Sequence, residues 1–341
     1  MRKLLVTGGA GFIGSNFIRY WLEHHPEDQI VNLDLLTYAG NLENLAEVAG
    51  SPNYHFVQGD ICDQATVDTL MADATHVVHF AAESHVDRSI TNPGAFVQTN
   101  VLGTQILLQS ATKHKVSHFH HISTDEVFGS LPLEAGSKFT DSSPYDPRSP
   151  YAASKAGSDH LVRAYGETFG LPFTITNCSN NYGEYQFPEK LFPLAITNLI
   201  DSKPIPIYGD GLNVRDWLYV QDHCSALDAV LTKGTVGKTY LVGGMLKDVS
   251  NKEIALMLLN QFSLPESMIT YVTDRKGHDR KYSVDWSTIH TELGWEPSVT
   301  LEEGLSRTVA WYKSHESWWR PLLEKNKQYF ATQYQTEKKE L

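Results

Sequence analysis

The sequence predicts an α/β protein: a doubly wound parallel sheet over the first half of the chain, with a smaller α/β domain behind it. Three observations carry this. Strand-like apolar runs alternate with helix-like stretches up to Phe173-Thr174-Ile175-Thr176, the first run ends in a glycine-rich turn, and the second ends in an acid. Beyond Gly183 the texture shifts to shorter elements with more proline and glycine. The expected division is residues 1–180 for the sheet domain (with later returns to the sheet), 181–330 mainly for the smaller domain, and 331–341 as a tail.

Composition narrows the class. A chain of 341 residues with 41% hydrophobic and 20% charged residues can bury a substantial core and is ordinary for a soluble protein. No apolar run approaches a membrane span. Net charge −12 argues against a general nucleic-acid binder, which needs a basic footprint. Cys62, Cys178 and Cys224 are widely spaced and odd in number, so neither a disulfide framework nor a zinc site is indicated. With no signal-peptide pattern ahead of Lys3-Leu4-Leu5-Val6-Thr7, a reducing cytoplasm is the expectation.

The first strand, Leu4-Leu5-Val6, runs into Thr7-Gly8-Gly9-Ala10-Gly11-Phe12-Ile13-Gly14. Gly9, Gly11 and Gly14 satisfy G-x-G-x-x-G, and Gly8 adds a further glycine. Such glycines permit a tight turn, let backbone approach a pyrophosphate, and let helix and strand pack closely, while the helix N-terminus offers free N–H groups. Asp34 closes the second strand about twenty residues on, where a carboxylate accepts from the adenosine ribose and repels a 2′-phosphate. The pattern is a Rossmann-type dinucleotide site that prefers NAD to NADP.

Tyr54-His55-Phe56-Val57 is a third strand, followed by Asp60-Ile61, which could close over an adenine. Thr75 to Phe80 is a fourth and leads into Ala81-Ala82, small enough for close contact with a cofactor. Phe96 to Ala111 has helical periodicity, with Thr99 and Asn100 near its start. Val116 to Ile122 is a fifth strand containing His118, His120 and His121; with no further ligands beside them they read as packed or hydrogen-bonded residues, and no metal is expected. After a proline-rich loop, Ser149 suits an N-cap and Pro150 the first helical position, which puts Tyr151 and Lys155 on one face. The aromatics from Trp311 to Tyr329 suit a packed helix.

The chemistry lies at the fifth strand's end and on that helix. A phenol titrates near 10, too high for a base at neutral pH. An ammonium beside it and a positive nicotinamide favour the phenolate, so Tyr151 with Lys155 is an alcohol-oxidising pair. Asp125-Glu126 is the discriminating feature. Once a sugar carbon is a ketone, the neighbouring C–H is acidic enough for Glu126 to act as base, and a protonated Asp125 can expel water from the carbon beyond. Consecutive strand residues face opposite ways, so this requires the chain to be turning by Asp125. A helix-start acidic pair is the competing reading of the same two residues.

With these residues in view, the chain resembles the extended short-chain dehydrogenase/reductases, in their NAD-dependent sugar epimerase/dehydratase family. The resemblance runs through TGGAGFIGS (Thr7 to Ser15), LTYAGNL (Leu36 to Leu42), AAESHVDRSI (Ala81 to Ile90), HHISTDEVFG (His120 to Gly129), SPYAASKA (Ser149 to Ala156), NCSNNYG (Asn177 to Gly183), FPEKLFPL (Phe187 to Leu194), RDWLYVQDH (Arg215 to His223) and DRKGHDRKY (Asp274 to Tyr282). It implies tightly held NAD, dTDP-glucose as the small-molecule substrate, oxidation at C4 by Tyr151 with Thr124 on that hydroxyl, elimination across C5 and C6 by Glu126 and Asp125, and reduction at C6 with NAD recycled.

By position it also implies cofactor contacts at Phe12, Ile13, Thr99, Ser123 and Asn181, besides those read above. Sugar-nucleotide contacts are implied at Ser84, Asn180, Lys190 and Leu191, and at Pro206, Tyr208 and His278. Arg215 and Arg275 suit the diphosphate, because a guanidinium holds phosphate in bidentate fashion. Where the family has a nucleotide-contacting asparagine, this chain has an unusual string from Leu246 to Ser250, and either Ser250 or Asn251 stands in; Lys276 occupies a place that is often proline. A homodimer packed through Phe96–Ala111 and Tyr151–Tyr165, and a product destined for rhamnose or another deoxysugar, are further implications. The competing readings are another NAD-dependent nucleotide-sugar dehydratase or a 4-epimerase on the same scaffold, the latter needing the Tyr/Lys pair but not the two acids, and a non-catalytic nucleotide sensor, which needs none of the four.

Overall fold

The computed structural model describes residues 1–326 other than Ala135, Leu246, Arg275 and Lys276. The expected tail at 331–341, the end of the aromatic stretch at Tyr329 and the Arg275 contact therefore lie outside the described residues. The strands are β1 (Lys3–Thr7), β2 (Gln29–Asp34), β3 (Tyr54–Gln58), β4 (His76–His79), β5 (His118–Thr124) and β6 (Phe173–Cys178). Short strands follow: β7 (Asn180–Tyr182), β8 (Ile205–Tyr208), β9 (Val214–Arg215) and β10 (Trp217–Tyr219). The last three are β11 (Thr239–Val242), β12 (Val249–Ser250) and β13 (Ile269–Val272).

Seven strands form one parallel sheet in the order β11-β6-β5-β4-β1-β2-β3. Strand order reverses between β1 and β4, and in a doubly wound sheet ligands bind outside the strands' carboxyl ends at that point. Alternation along β1 decides what covers each face. Leu4 and Val6 pack with Phe17 and Trp21 of the Phe12–His24 helix and with Leu227 of Val220–Lys233. Leu5 packs on the other side with Leu107 of the Thr104–His114 helix and Val162 of the Pro150–Phe169 helix. Each such side chain contributes roughly 1.5–3 kcal/mol of burial. β11 is a late return to the sheet, beside β6.

The remaining strands form two-stranded pairs, β10 with β7, β12 with β9 and β13 with β8. A second core lies among them, where Tyr182, Phe192 and Trp217 meet Leu258 of the Asn251–Phe262 helix and Tyr312 of the Leu301–Ser314 helix. Trp319, fully buried there, belongs to a separate helix, Glu316–Lys325, and its Nε1 donates to the Tyr312 carbonyl. The described part of the aromatic stretch is thus two helices rather than one.

The helix expected over Phe96–Ala111 also differs: Pro93–Phe96 is α-helical, Val97–Gly103 is π-helical, and regular helix resumes at Thr104. The widened turn accompanies Asn100, whose amide accepts from Glu83 N and donates to Glu83 O, both at 2.9 Å, and reaches Ser154 Oγ at 2.8 Å. Turns of this kind cluster at functional sites. Among the described residues no helix is long and apolar enough to cross a membrane. All three cysteines are unpaired.

Candidate active site

β1 ends in a turn that only glycine can make. Gly8 has φ +73°, and a Cβ on it would lie 2.5 Å from Ala81 N; one on Gly14 would lie 2.5 Å from Gly8 O. The turn is braced by β2: Asn32 Oδ1 accepts from Gly9 N at 3.0 Å, and Asp34 Oδ2 from Ala10 N at 2.9 Å. Asp34 Oδ1 accepts from Leu36 N at 2.8 Å; burial raises this carboxyl's pKa, and the two backbone donors pull it back. The helix that follows starts at Phe12 with Gly11 as its N-cap and no side-chain cap. Its first N–H groups therefore lack a side-chain acceptor, and they open toward a cavity lined by Gly8, Gly11 and Gly14. That cradle fits a dinucleotide's pyrophosphate.

At the end of β5 the strand does turn at Asp125. Asp125–Phe128 is a short 3-10 helix, Thr124 Oγ1 caps it by accepting from Glu126 N at 3.3 Å, and Gly129 ends it with φ +84°. The difficulty of consecutive strand residues facing opposite ways is removed, because the pair begins a helix. The helix-start reading and the acid/base reading are therefore compatible. Glu126 lines the cavity wall, whereas Asp125 lies just behind it, 1% exposed, with Oδ1 accepting from Thr124 Oγ1 at 3.3 Å and Oδ2 without a partner. Burial, then the charges of Glu126 and Asp216, hold the Asp125 carboxyl well above the usual range.

Ser149 caps the Pro150–Phe169 helix through Ala152 N at 3.0 Å, with Pro150 in the first turn, as the sequence predicts. Tyr151 and Lys155 both line the cavity. Burial, then Glu126, raises the phenol, and the neighbouring Thr124 hydroxyl pulls it back. The Lys155 ammonium donates to Ile122 O at 2.8 Å, and burial brings its pKa down to about 8. His118 and His120 are held by Thr174 Oγ1 at 2.7 Å each, the packed role read from sequence.

Two cavities meet here. The larger, about 340 Å³, takes in Phe12, Ile13, Asp34, Asp60 and Ile61 at one end. Ala81, Ala82, Ser84, Thr99, Ser123 and Thr124 follow toward the other. The smaller, about 160 Å³, is lined by Leu191, Pro206, Tyr208, Arg215 and His278. Glu126, Asn180, Asn181 and Lys190 line both, so the two are continuous. Among the expected site residues that are described, Asp125 and Ser250 do not reach either wall. Ser250 is an N-cap, bonded reciprocally with Glu253, and Asn251 lines the smaller cavity with a buried, unpartnered Oδ1.

Sequence reasoning gave no role to several lining residues, chiefly Tyr38, His85, Glu189 and Tyr282. All four sit inside segments already quoted for the resemblance, which is the signal available. Arg215 is buried, donates to the Val214 and Asp279 carbonyls at 2.7 and 3.0 Å, and lies 4.3 Å from the Tyr282 ring.

The sheet, the uncapped helix start and the Tyr/Lys helix define a nicotinamide-dinucleotide enzyme of the extended short-chain dehydrogenase/reductase type. The family described as GDP-mannose 4,6 dehydratase matches residues 5–308, and the chain belongs to it. A dTDP-glucose 4,6-dehydratase of Neisseria meningitidis serogroup B is 51% identical, across 95% of this chain and 96% of that one. The crystal structure of DesIV, a dTDP-glucose 4,6-dehydratase from Streptomyces venezuelae solved with NAD bound, superimposes with TM-score 0.91 at 50% identity, covering 94% of this chain and 99% of that one. UDP-glucose 4-epimerase from Thermotoga maritima gives TM-score 0.84 at 27% identity, over 92% and 99%.

Proposed function

We propose that this chain carries out the dTDP-glucose 4,6-dehydratase reaction, converting dTDP-glucose to dTDP-4-keto-6-deoxyglucose and water. The observation that carries the reading is the position of Glu126, on the wall shared by both cavities and in a cleft with Tyr151 and Lys155. NAD fits the larger cavity, where the glycine turn, Asp34 and the uncapped helix would hold pyrophosphate and ribose. The chemistry that bound NAD supplies is two-electron: oxidation at C4 and, later, reduction at C6.

The chain's own residues do the rest. Tyr151 takes the proton of the 4-hydroxyl, Thr124 orients that hydroxyl, and Lys155 supplies positive charge from beneath. Glu126 removes the C5 proton made acidic by the C4 ketone. Asp125, kept protonated by burial and its two carboxylate neighbours, gives its proton to the departing C6 hydroxyl. Its unpartnered oxygen supports that role, since no group of the protein competes for the proton. Arg215 and Lys190 suit the diphosphate, and Asn180 and Asn251, each with a buried oxygen lacking a partner, suit the sugar and base.

We assign residues 1–180 mainly to cofactor and 181–330 mainly to sugar nucleotide. A homodimer is supported by Val97 and Leu102, which are 57% and 42% exposed on the helical segment that lies beside Pro150–Phe169. Three free thiols suit a reducing cytoplasm. The 4-keto-6-deoxy product belongs to the deoxysugars, of which rhamnose is one. Incubation with NAD and dTDP-glucose should yield a product lighter by one water; a galactose epimer of unchanged mass would overturn the assignment.

A further inference from the structure

The Pro150–Phe169 helix carries a third functional group at the same spacing as the first two. Tyr151, Lys155 and Asp159 fall at successive intervals of four, and all three are buried. Asp159 touches neither cavity wall. His121, on β5, stands between it and the ammonium, with Nε2 lying 3.1 Å from Asp159 Oδ1 and 3.5 Å from Lys155 Nζ. The other carboxylate oxygen is crowded with donors: Ser123 Oγ at 2.9 Å, Tyr145 OH at 2.8 Å and Asn177 Nδ2 at 3.3 Å. Tyr145 OH accepts in turn from Arg163 at 3.0 Å.

A buried carboxylate is stable only where charge and donors replace water. Here burial opposes ionisation, yet His121, Lys155 and Tyr145 together hold Asp159 below the usual carboxylate range, so it is an anion at neutral pH. The groups facing Lys155 from the other packed elements carry no compensating charge. His79 on β4 and His121 on β5 are driven neutral by burial, and burial keeps the Cys178 thiol on β6 protonated at about 12. On its own helix Tyr151 is a neutral phenol, and the nearby acids, Glu126 and Asp125, act on that phenol. Asp159 is the one carboxylate among the groups that act most on the ammonium.

We propose that Asp159 is a positioning residue for the oxidation step, a buried counter-charge one helical turn from Lys155 that keeps its ammonium charged and in place behind Tyr151. The inference rests on the proposed role of Tyr151 in C4 oxidation, and would hold equally for an epimerase. Without the carboxylate, the ammonium loses its proton more readily, so the alkaline limb of the activity profile moves to lower pH.

The test is the pH dependence of kcat for the NAD-loaded enzyme with dTDP-glucose. The limb to follow is the alkaline one, where the Lys155 ammonium, its pKa lowered by burial, gives up its proton. Asp159→Asn keeps the size of the side chain and should move that limb down by about one unit, a loss of about tenfold in rate above it. Asp159→Glu, which restores the charge, should return the limb toward its original place. An Asp159→Asn profile that superimposes on the natural one, or is only scaled down, overturns the proposal. Should that variant not fold, Asp159→Ser, which also removes the charge, takes its place; the same downward shift supports the proposal, and an unmoved limb overturns it. If the natural enzyme fails to oxidise the sugar at all, the fault lies with the reading of Tyr151, not with Asp159.

Discussion

The hydroxyl of Thr124 donates to Oδ1 of Asp125 at 3.3 Å, across the point where β5 becomes the short helix Asp125–Phe128. The same oxygen caps that helix by accepting from Glu126 N. One threonine thus fixes the turn that brings both acids to the carboxyl end of the sheet, and its hydroxyl also acts on the Tyr151 phenol.

Asp125→Asn removes the transferable proton while keeping the Thr124 contact. C4 oxidation and C5 exchange with solvent deuterium should persist, while release of 4-keto-6-deoxy product falls by about 10²–10⁴, the usual contribution of a general acid. The proposed acid role needs Asp125 protonated, and burial with Glu126 and Asp216 holds its pKa well above the carboxylate range. Elimination is therefore supported from acid through neutral pH and fails only as pH climbs through that raised value. Product formation against pH, read by mass spectrometry, checks both points.

Glu126→Gln should separate binding from chemistry. NAD and dTDP-glucose bind with near-natural affinity and some NAD is reduced at C4, but C5 exchange ceases. Proton NMR of the sugar recovered from deuterated buffer reads this directly. Exchange at the natural rate would remove Glu126 from the base role.

Ser250 and Asn251 are neighbours with separable duties. Ser250 and Glu253 form a capping box on the Asn251–Phe262 helix, so Ser250→Ala should cost about 1 kcal/mol of stability with KM unchanged. Asn251→Ala should leave thermal unfolding alone and raise KM, because the side chain lines the smaller cavity. The reverse pattern would return the nucleotide contact to Ser250.

These cases mark what was legible in the sequence. The glycine turn, Asp34, the Tyr151/Lys155 pair and the capped helix under it are local patterns, in which spacing alone fixes geometry. Asp125 and Glu126 could be named, but not their turn, since it depends on Thr124 capping. Ser250 and Asn251 could not be told apart, because one residue's rotation around a helix start decides which faces a cavity. The π turn at Val97–Gly103 depends on Asn100 meeting Glu83, a contact made only by folding. Asp159 was invisible for the same reason: its partners Ser123, Tyr145 and His121 lie on other segments of the chain.

Tyr38, Arg88 and Glu189 come from three separate segments and meet beside the cofactor cavity. The Arg88 guanidinium lies 3.7 Å from the centre of the Tyr38 ring and donates to Glu189 Oε2 at 3.2 and 3.3 Å, and Tyr38 hydrogen-bonds to Glu189 as well. Tyr38 lines the larger cavity and Glu189 lines both, so the cluster ties the loop after β2 to the loop ahead of the Leu191–Ile200 helix. Arg88→Ala removes the stacked cation and one partner of a buried carboxylate, so the loop after β2 should open more often. NAD retained through gel filtration should drop, and its dissociation should quicken by about tenfold, equivalent to about 1.4 kcal/mol. Turnover at saturating NAD should be nearly unchanged, because none of the three side chains is assigned to C4, C5 or C6. A variant that retains NAD as firmly as the natural enzyme would show that the cluster only fills space.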